Sequence, residues 1–307
     1  MKISVIGAAG YVGSNVAIVL ALQGLADEIV LVDPYKQNLV IHMAMDAGTA
    51  VADNGVVMRA GDFPEIKDSN IVIVTAGAAQ GVIASRMEML PKNLPIIRDI
   101  ANDIKKYAPG AIVLTATNPV DPLNYAMYRF TGFDRHKVIG YSTNDSIRFR
   151  MMLAQELGQS ADAVEAFVIG EHGESQVLVW SSVKVNGNPV NIDSATRQKI
   201  RAEIPNILRR YEELKTGRTA GITSGVGAAR VVEAIVENTH ETFPCSAVLD
   251  GEYGQHNLSM DVPMVLSSGG IYEIQELELE PEEQAGLKNT LAVLQPAMRQ
   301  VDEFLKS

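Results

Sequence analysis

Short segments rich in β-branched residues alternate with amphipathic segments of helical length through the first half of this 307-residue sequence. That alternation is typical of β–α–β units, in which helices connect parallel strands. The strand candidates are 2–6, 28–32, 56–60, 70–74, 111–116 and 137–141, and the helical patterns occupy about 11–24, 36–49 and 96–107. Pro91 and Pro95 argue against an unbroken helix from Arg86 onward, because proline lacks an amide hydrogen. The first half is therefore predicted to be α/β, with a doubly wound parallel sheet.

The pattern changes after about residue 143. Asn186-Gly187 lies between two strand-like arms within 181–190, which predicts an antiparallel hairpin. Helical patterns follow at about 194–215, 224–239 and 281–306, with strand-like segments at 245–250, 262–267 and 271–276. We therefore predict two domains, residues 1–143 and an α+β substrate domain at residues 144–307, which pack around a cleft.

Gly7, Gly10 and Gly13 lie where the first strand should turn into the first helix. Glycine there permits a tight turn, close approach of backbone amides to a pyrophosphate, and packing of helix on strand, while the helix N-terminus adds partial positive charge. Asp33 ends the second strand 20 residues after Gly13, where a carboxylate can bond the ribose hydroxyls of NAD. Together these residues favour a Rossmann dinucleotide-binding domain over a glycine turn followed by an unrelated surface aspartate.

Asp33 also indicates which dinucleotide binds. A carboxylate there repels the 2′-phosphate of NADP, and no arginine follows it in residues 34–37. NAD is therefore the predicted cofactor, and Lys36 leaves NADP as the alternative.

Further cofactor-binding candidates lie at the ends of the fourth and fifth predicted strands, because doubly wound sheets bind ligands at the carboxyl ends of their strands. The full set of candidates is Gly7, Gly10, Tyr11, Val12, Gly13, Asp33, Thr75, Ala76, Gly77, Asn93, Thr117 and Asn118.

Charge and composition exclude several classes of partner. The formal net charge is −11 and no run of Lys or Arg exceeds two residues, so nucleic acid is not an expected partner. The longest apolar runs are too short to span a bilayer, so no membrane association is expected. Cys245 is the only cysteine, which excludes an internal disulfide, and the histidines lack the spacing of a metal site, so no metal is expected. With no export signal before the first strand, the predicted location is the cytoplasm.

Four side chains supply the groups that hydride transfer to a 2-oxo acid would require. His172 lies in a glycine-flanked stretch after an apolar strand pattern, and is the candidate proton carrier. Asp145 and Arg148 are three residues apart on one helix face, where the carboxylate can orient an imidazole and the guanidinium can bind a substrate carboxylate. Arg86 lies in a stretch that could close as a lid and polarise the carbonyl. The alternatives are a solvated histidine and a surface Asp–Arg ion pair.

Several motifs, in order across nearly the whole chain, resemble the lactate/malate dehydrogenase family, and most closely its lactate-dehydrogenase-like malate dehydrogenases. They are Gly7-Ala8-Ala9-Gly10-Tyr11-Val12-Gly13, Thr75-Ala76-Gly77 with Ser85-Arg86, Asn118-Pro119-Val120-Asp121, Asp145-Ser146-Ile147-Arg148 and Gly170-Glu171-His172-Gly173. The resemblance implies an NAD-dependent L-2-hydroxy acid dehydrogenase whose partner is a small 2-hydroxy or 2-oxo acid.

The resemblance also implies roles for individual residues. His172 would be the general acid/base, and Asp145 the aspartate that orients it. Arg148 would be the arginine that binds the substrate carboxylate, and Arg86 the lid arginine that polarises the carbonyl. Asn118 would contact cofactor and substrate, and Thr223 would lie near the substrate.

Gln80 departs from the malate-type pattern, in which an arginine stands six positions before the polarising arginine to neutralise a second carboxylate. Glutamine resembles the lactate-type pattern, so the predicted substrate is a monocarboxylate, with malate and oxaloacetate as the alternative. Residues 81–84 are apolar enough to favour a bulkier side chain, and residues 140–145 are one residue shorter than in relatives.

A different class of function also remains open, namely a catalytically silent NAD-binding sensor, although such a protein would not need all four reactive side chains. The apolar face of the helix near 36–49 predicts a homodimer or homotetramer.

Overall fold

A computed structural model of the chain describes residues 1–78, 85–216 and 220–306. The strands are β1 (Lys2–Ile6), β2 (Glu28–Val32), β3 (Val57–Gly61), β4 (Ile71–Val74), β5 (Ile112–Thr115), β6 (Val138–Gly140), β7 (Val164–Ile169), β8 (Val177–Val185), β9 (Asn188–Pro189), β10 (Thr242–Asp250), β11 (His256–Ser267) and β12 (Gly270–Ile274). The helices are α1 (Tyr11–Leu22), α2 (Gln37–Ala50), α3 (Leu90–Tyr107), α4 (Val120–Thr131), α5 (Asn144–Leu157), α6 (Ser194–Glu213), α7 (Gly221–Val236) and α8 (Pro281–Lys306).

Nine of the described strands form one sheet in the order β12-β11-β10-β6-β5-β4-β1-β2-β3. The six strands from β1 to β6 pair in parallel, and the chain returns to the middle of the sheet after β3. Strands β4 and β5 are buried along their whole length, as expected for a parallel sheet covered on both faces. The predicted doubly wound sheet is confirmed.

Helices α3 and α4 differ from the sequence-based prediction. Helix α3 begins at Leu90 rather than near residue 96, with Pro91 in its first turn, where no amide hydrogen is needed, and Pro95 inside the helix. The buried apolar face of α3 offsets the single helical hydrogen bond that Pro95 cannot make. Helix α4 was not predicted at all, because its buried residues include the polar Asp121 and Asn124, and Pro122 is typical of a loop although it lies in the first turn, where no amide hydrogen is needed.

The predicted hairpin in the second half is present. Asn186 and Gly187 have φ values of 49° and 76°, and they connect β8 to the antiparallel strand β9. Both values lie in the left-handed region that a tight two-residue hairpin turn requires.

Strands β10 to β12 come from the second half of the chain but extend the sheet of the first half. Strand β10 pairs antiparallel with β6, where Ser246 lies opposite Gly140 and Ala247 opposite Ile139. The main sheet therefore crosses the predicted boundary at residue 143, and the division into two domains stays a prediction. A smaller core packs between α5, α6 and β8, with Phe149 and Trp180 in edge-to-face contact at 4.9 Å between ring centroids.

The end of β7 is joined to the main sheet by one pair of backbone hydrogen bonds between Gly170 and Asp261. This bridge brings the segment after β7 beside the sheet that carries α4. Across the described ranges, we find no helix that combines the length and the hydrophobicity needed to cross a membrane.

Candidate active site

The glycine turn after β1 leaves no room for a side chain at two of its positions. Gly7 has a φ of +82°, and a Cβ there would lie 2.5 Å from the backbone nitrogen of Ala76. A Cβ on Gly13 would lie 2.5 Å from the Gly7 carbonyl oxygen and 2.7 Å from Thr75 Oγ1. Close packing of β1, β4 and the start of α1 therefore depends on these glycines.

Other features of this turn fit a dinucleotide. A Cβ at Gly10 would meet only the Gly7 carbonyl oxygen, at 3.2 Å, so backbone at this position is open to a ligand. Helix α1 begins there with no side-chain cap on its first amides, which leaves its partial positive charge available to an anion. Asp33 lies half-buried at the end of the neighbouring strand β2. The Tyr11 ring packs against Gly221 at the start of α7, and Val12 packs on the core.

The remaining cofactor-binding candidates form a connected group at the ends of β4 and β5. Asn93 accepts a hydrogen bond from the Ala78 amide at 2.8 Å and donates one to the Asn118 carbonyl at 2.7 Å. Thr117 Oγ1 donates to the Ala76 carbonyl at 2.7 Å, and a Cβ on Gly77 would contact Thr117 at 2.9 Å.

Asn118 carries a polar atom that is ready for a ligand. Its Oδ1 is buried and, among the residues that the structure describes, accepts no hydrogen bond. A buried acceptor without a partner is costly, so a donor on a bound ligand fits here. With the open glycine turn and the carboxylate at the end of β2, this atom supports a fit to NAD.

His172, Asp145 and Arg148 form one buried chain of contacts. Asp145 Oδ2 lies 2.6 Å from His172 Nδ1, and Asp145 Oδ1 accepts a hydrogen bond from Arg148 Nη1 at 2.8 Å. These side chains are 7%, 4% and 8% exposed, respectively. The carboxylate thus fixes the imidazole so that Nδ1 carries its proton toward Asp145, which leaves Nε2 to exchange a proton with a substrate. The shorter segment 140–145 does not disturb this arrangement.

Burial and neighbouring charges set the protonation of this group. Burial opposes ionisation of Asp145, but the charges of His172 and Arg148 and the bond to His172 outweigh it and lower its pKa to about 2. Burial is also the largest influence on His172 and lowers its pKa, assisted by the positive charges of Arg86 and Arg148 and opposed by Asp145. Asp145 is therefore ionised at neutral pH, while the free imidazole is mainly neutral.

Arg86 and Thr223 connect to this chain through neighbouring groups. Arg86 Nη1 donates to the backbone carbonyl of His172 at 2.7 Å, which places its guanidinium beside the imidazole-bearing loop. Thr223 lies in the first turn of α7, and α7 is held to α5 by a hydrogen bond of 2.9 Å from Asn144 Nδ2 to Ser224 Oγ. Tyr141, whose hydroxyl donates to Asn144 Oδ1 at 2.7 Å, completes this link. Gln80 lies outside the described residues.

Sequence reasoning missed three residues that hold the backbone around His172. Asp121 Oδ2 accepts from the His172 amide at 2.7 Å, Thr290 Oγ1 accepts from the Glu171 amide at 2.9 Å, and the Asp261 carbonyl accepts from the Gly170 amide at 2.9 Å. A signal existed for Asp261, because a carboxylate inside the otherwise apolar pattern of 260–266 is unusual for a buried strand. No local pattern identifies Thr290, which lies in a long amphipathic helix.

Asp121 and Asp261 place two further buried carboxyl groups behind this loop. Burial raises the pKa of Asp121 to about 7, although hydrogen bonds from Ser246 and the His172 amide favour its charged form. The side chain of Asp261 is also buried, at 1% exposed. Burial, reinforced by the charges of Asp121 and Asp145, raises the pKa of Asp261 well above its usual range. Asp261 is therefore protonated where an ordinary aspartate would be charged.

Comparison with known proteins gives consistent matches along the chain. Residues 1–140 match the model of the lactate/malate dehydrogenase NAD binding domain, and residues 143–305 match that of the lactate/malate dehydrogenase alpha/beta C-terminal domain. The chain is 38% identical to malate dehydrogenase from Halobacterium salinarum over 285 residues, which cover 92% of this chain and 93% of that protein. It is 35% identical to L-lactate dehydrogenase 1 from Clostridium acetobutylicum over 308 residues, with 97% of each protein covered. The structure resembles that of lactate dehydrogenase from Cryptosporidium parvum in complex with lactic acid and nicotinamide adenine dinucleotide, with a TM-score of 0.91, 29% identity and 98% of each chain covered.

We expect Asp261→Asn to stabilise the protein much more at alkaline pH than at acid pH. A carboxyl group with a raised pKa contributes stability below its unfolded pKa and loses it as the pH rises toward the folded pKa, whereas an amide has no such proton to lose. Each unit of raised pKa corresponds to about 1.4 kcal/mol. The gain in free energy of unfolding should therefore be larger at about pH 8 than at about pH 5 by about 1 kcal/mol or more.

Chemical denaturation at the two pH values measures this difference. The exposed Asp68→Asn is the matched control and should change the free energy of unfolding equally at both. Equal effects of Asp261→Asn at the two pH values would contradict the expectation.

Proposed function

The chain belongs to the lactate/malate dehydrogenase family, and on that premise we propose that it interconverts a small L-2-hydroxy acid and its 2-oxo acid by reversible hydride transfer with NAD. The family, the fold class and NAD as cofactor, which the sequence predicted, are confirmed. The observation that carries the proposal is the buried contact chain from His172 through Asp145 to Arg148. A redox enzyme for hydroxy acids needs this combination of a proton carrier, an orienting carboxylate and a carboxylate-binding cation in one place.

His172 serves in this proposal as the acid that protonates the carbonyl oxygen. NADH, when bound, supplies the hydride that goes to the carbonyl carbon, and the proton from His172 completes the hydroxyl group. Asp145 stabilises the imidazolium before that proton leaves. In the reverse direction His172 takes the hydroxyl proton back.

Arg148 links substrate binding to the protonation of His172. A guanidinium has five N–H donors, so Arg148 can keep its bond to Asp145 and still hold a substrate carboxylate with two parallel hydrogen bonds. The substrate's negative charge then offsets one of the positive charges that lower the pKa of His172. Binding of the 2-oxo acid thereby favours the protonated imidazole that its reduction requires.

The proposal gives the remaining polar groups supporting roles. Arg86, which lies beside the His172 carbonyl, polarises the substrate carbonyl. Asn118, whose buried Oδ1 lacks a partner among the described residues, contacts cofactor and substrate, and Thr223 lines the substrate side of α7.

The proposed substrate is a lactate-type monocarboxylate. The support is Gln80, which offers no positive charge to a second carboxylate, and burying an unpaired carboxylate costs several kcal/mol. Oxaloacetate and malate are the second candidate, because the relative from Halobacterium salinarum is a malate dehydrogenase and is 38% identical to this chain.

Assembly and location complete the proposal. Helix α2 exposes Leu39, Ile41 and Met45, and its buried positions are limited to Val40 and Ala44. Ile41 and Met45 are four residues apart and share one exposed face of the helix, which supports a homodimer or a homotetramer. The single cysteine, Cys245, is a buried free thiol, which supports a cytoplasmic location.

We expect His172→Asn to remove turnover while leaving NADH binding intact. Asparagine can keep a polar side chain in the loop but cannot donate and recover a proton near neutral pH, so kcat with the best 2-oxo acid should fall about 1000-fold or more. Loss of nicotinamide absorbance measures turnover, and nicotinamide fluorescence measures NADH binding. The exposed His240→Asn is the control and should behave like the wild-type protein. NADH binding without turnover of any 2-oxo acid by the wild type would instead favour the silent sensor.

We expect Gln80→Arg to move substrate preference toward oxaloacetate. An arginine would neutralise the second carboxylate, so the ratio of kcat/KM for oxaloacetate to that for pyruvate should rise about tenfold or more. Gln80→Met is the control, since it keeps the length of the side chain without adding charge and should leave oxaloacetate disfavoured. An unchanged ratio in Gln80→Arg would refute the interpretation of this position.

We expect Met45→Glu to weaken self-association. A charge on the exposed face of α2 would have to be desolvated in an interface, so the variant should sediment as a smaller species than the wild type at equal concentration. Tyr272→Glu, which alters an exposed apolar residue on β12, is the control. A monomeric wild-type protein would refute the proposed assembly.

A further inference from the structure

Three consecutive backbone amides hold the loop that carries His172, and each bonds to a different element. We call residues 170–172 the His172 loop. The Gly170 amide donates to the backbone of β11, the Glu171 amide to Thr290 on α8, and the His172 amide to the carboxyl group of Asp121 on α4. The contact at His172 itself is the shortest of the three, at 2.7 Å.

Asp121 is fixed on both sides. Its Oδ2 accepts from the His172 amide, and its Oδ1 accepts from Ser246 Oγ, also at 2.7 Å. Ser246 is in turn 2.9 Å from Ser259 Oγ, and Asp121 is 1% exposed. A carboxyl group held at both oxygens in a packed interior has one available position, so it transmits the position of α4 to the His172 loop.

The position of Asp121 in the chain connects this contact to the cofactor side of the site. Asp121 lies in the first turn of α4, three residues after Asn118, and Asn93 holds the Asn118 carbonyl at 2.7 Å. One rigid turn of chain therefore carries both the buried amide oxygen that fits a ligand and the carboxyl group that holds the His172 backbone.

The imidazole is consequently fixed from two elements. Asp145 on α5 holds Nδ1, and Asp121 on α4 holds the backbone nitrogen of the same residue. Together with the bonds of the Gly170 and Glu171 amides, these two contacts determine where Nε2 lies. Without Asp121, the amide at the base of the ring would lose its partner, so the ring and its contact with Asp145 would shift.

A purely structural role does not explain why a carboxyl group occupies this position. Burial raises the pKa of Asp121 to about 7, so placing a carboxyl group here costs free energy that an apolar side chain would not cost. An acid in the first turn of a helix would ordinarily face solvent and the helix amides, whereas both oxygens here bond to other elements.

We propose that Asp121 is a positioning residue that sets the imidazole of His172 relative to Asn118 and the bound cofactor. The inference rests on the proposed dehydrogenase function, in which proton and hydride must reach adjacent atoms of one carbonyl group. Misplacement of a reacting group by about 1 Å can cost about 100-fold in rate.

The test compares Asp121→Ala, Asp121→Glu and Asp121→Asn. Alanine removes the contact, and glutamate keeps the carboxyl group but is one methylene longer, so both should displace the His172 loop. Asparagine keeps an oxygen for the His172 amide, while its NH2 group can donate to Ser246 Oγ, so it should act as the rescue variant. Thr131→Val is the matched control, because Thr131 is buried in the last turn of α4 and its hydroxyl bonds to nearby backbone groups, away from Asp121 and the His172 loop.

The first measurement is kcat per NADH-binding site. It is combined with the kinetic isotope effect on kcat when the NADH carries deuterium at the position that is transferred. We expect kcat to fall about tenfold or more in Asp121→Ala and Asp121→Glu, with a larger isotope effect and NADH affinity within about threefold of wild type. Asp121→Asn and Thr131→Val should stay within about threefold of wild type in all three quantities. Wild-type kcat and isotope effect in either the alanine or the glutamate variant, whatever its melting temperature, would overturn the proposal.

The second readout needs no turnover and separates this proposal from the proposed function. The imidazole of His172 is followed by NMR titration and assigned by the signal that His172→Asn removes. Its titration should shift in Asp121→Ala or Asp121→Glu, because the contact with Asp145 changes, and should be restored in Asp121→Asn. An unchanged titration in a folded variant overturns the positioning role even if the wild type proves inactive, whereas an inactive wild type with a shifted titration in the variants overturns only the dehydrogenase function.

Discussion

The carboxylate of Asp145 is the interaction on which the candidate site depends. It is buried, it bonds His172 with one oxygen and Arg148 with the other, and its ionisation is maintained by those two partners against the cost of burial. Without it, the imidazolium needed for reduction would be repelled by the buried guanidinium of Arg148, and the neutral imidazole would have no preferred tautomer. One helix, α5, presents both Asp145 and Arg148, so the geometry between proton carrier and substrate-binding cation depends on a single turn of helix.

Much of this arrangement follows from local sequence, and the exceptions have a common cause. The glycine turn, Asp33, the i,i+3 spacing of Asp145 and Arg148, and the Asn-Gly hairpin are properties of a few adjacent residues, so the sequence predicts them directly. Helix α4 was missed because two of its polar residues, Asp121 and Asn124, are buried against distant parts of the chain. The contacts that hold the His172 loop are long-range. His172 and Asp121 are separated by 51 positions in the sequence, Glu171 and Thr290 by 119, and Gly170 and Asp261 by 91, so no local pattern encodes these pairings.

The buried carboxyl groups around His172 also illustrate how an acidic chain can bind an acidic substrate. Asp145 is matched by Arg148, while Asp261 keeps its proton because burial and its neighbours disfavour a further negative charge. The negative charge of the chain as a whole, −11, therefore gives little information about the field inside the site. Local pairing determines which ions the site can accept.

The pairing of β10 with β6 restricts how the molecule can move. Because these strands carry the second half of the chain into the main sheet, rotating one half against the other as a rigid body would break backbone hydrogen bonds in the middle of that sheet. A hinge rotation between the two halves is therefore energetically unfavourable in this fold. Any closure around a bound substrate must come from short segments outside the paired strands. The rate at which substrate and product exchange with solvent should therefore depend on the motion of those segments rather than on rotation of a domain.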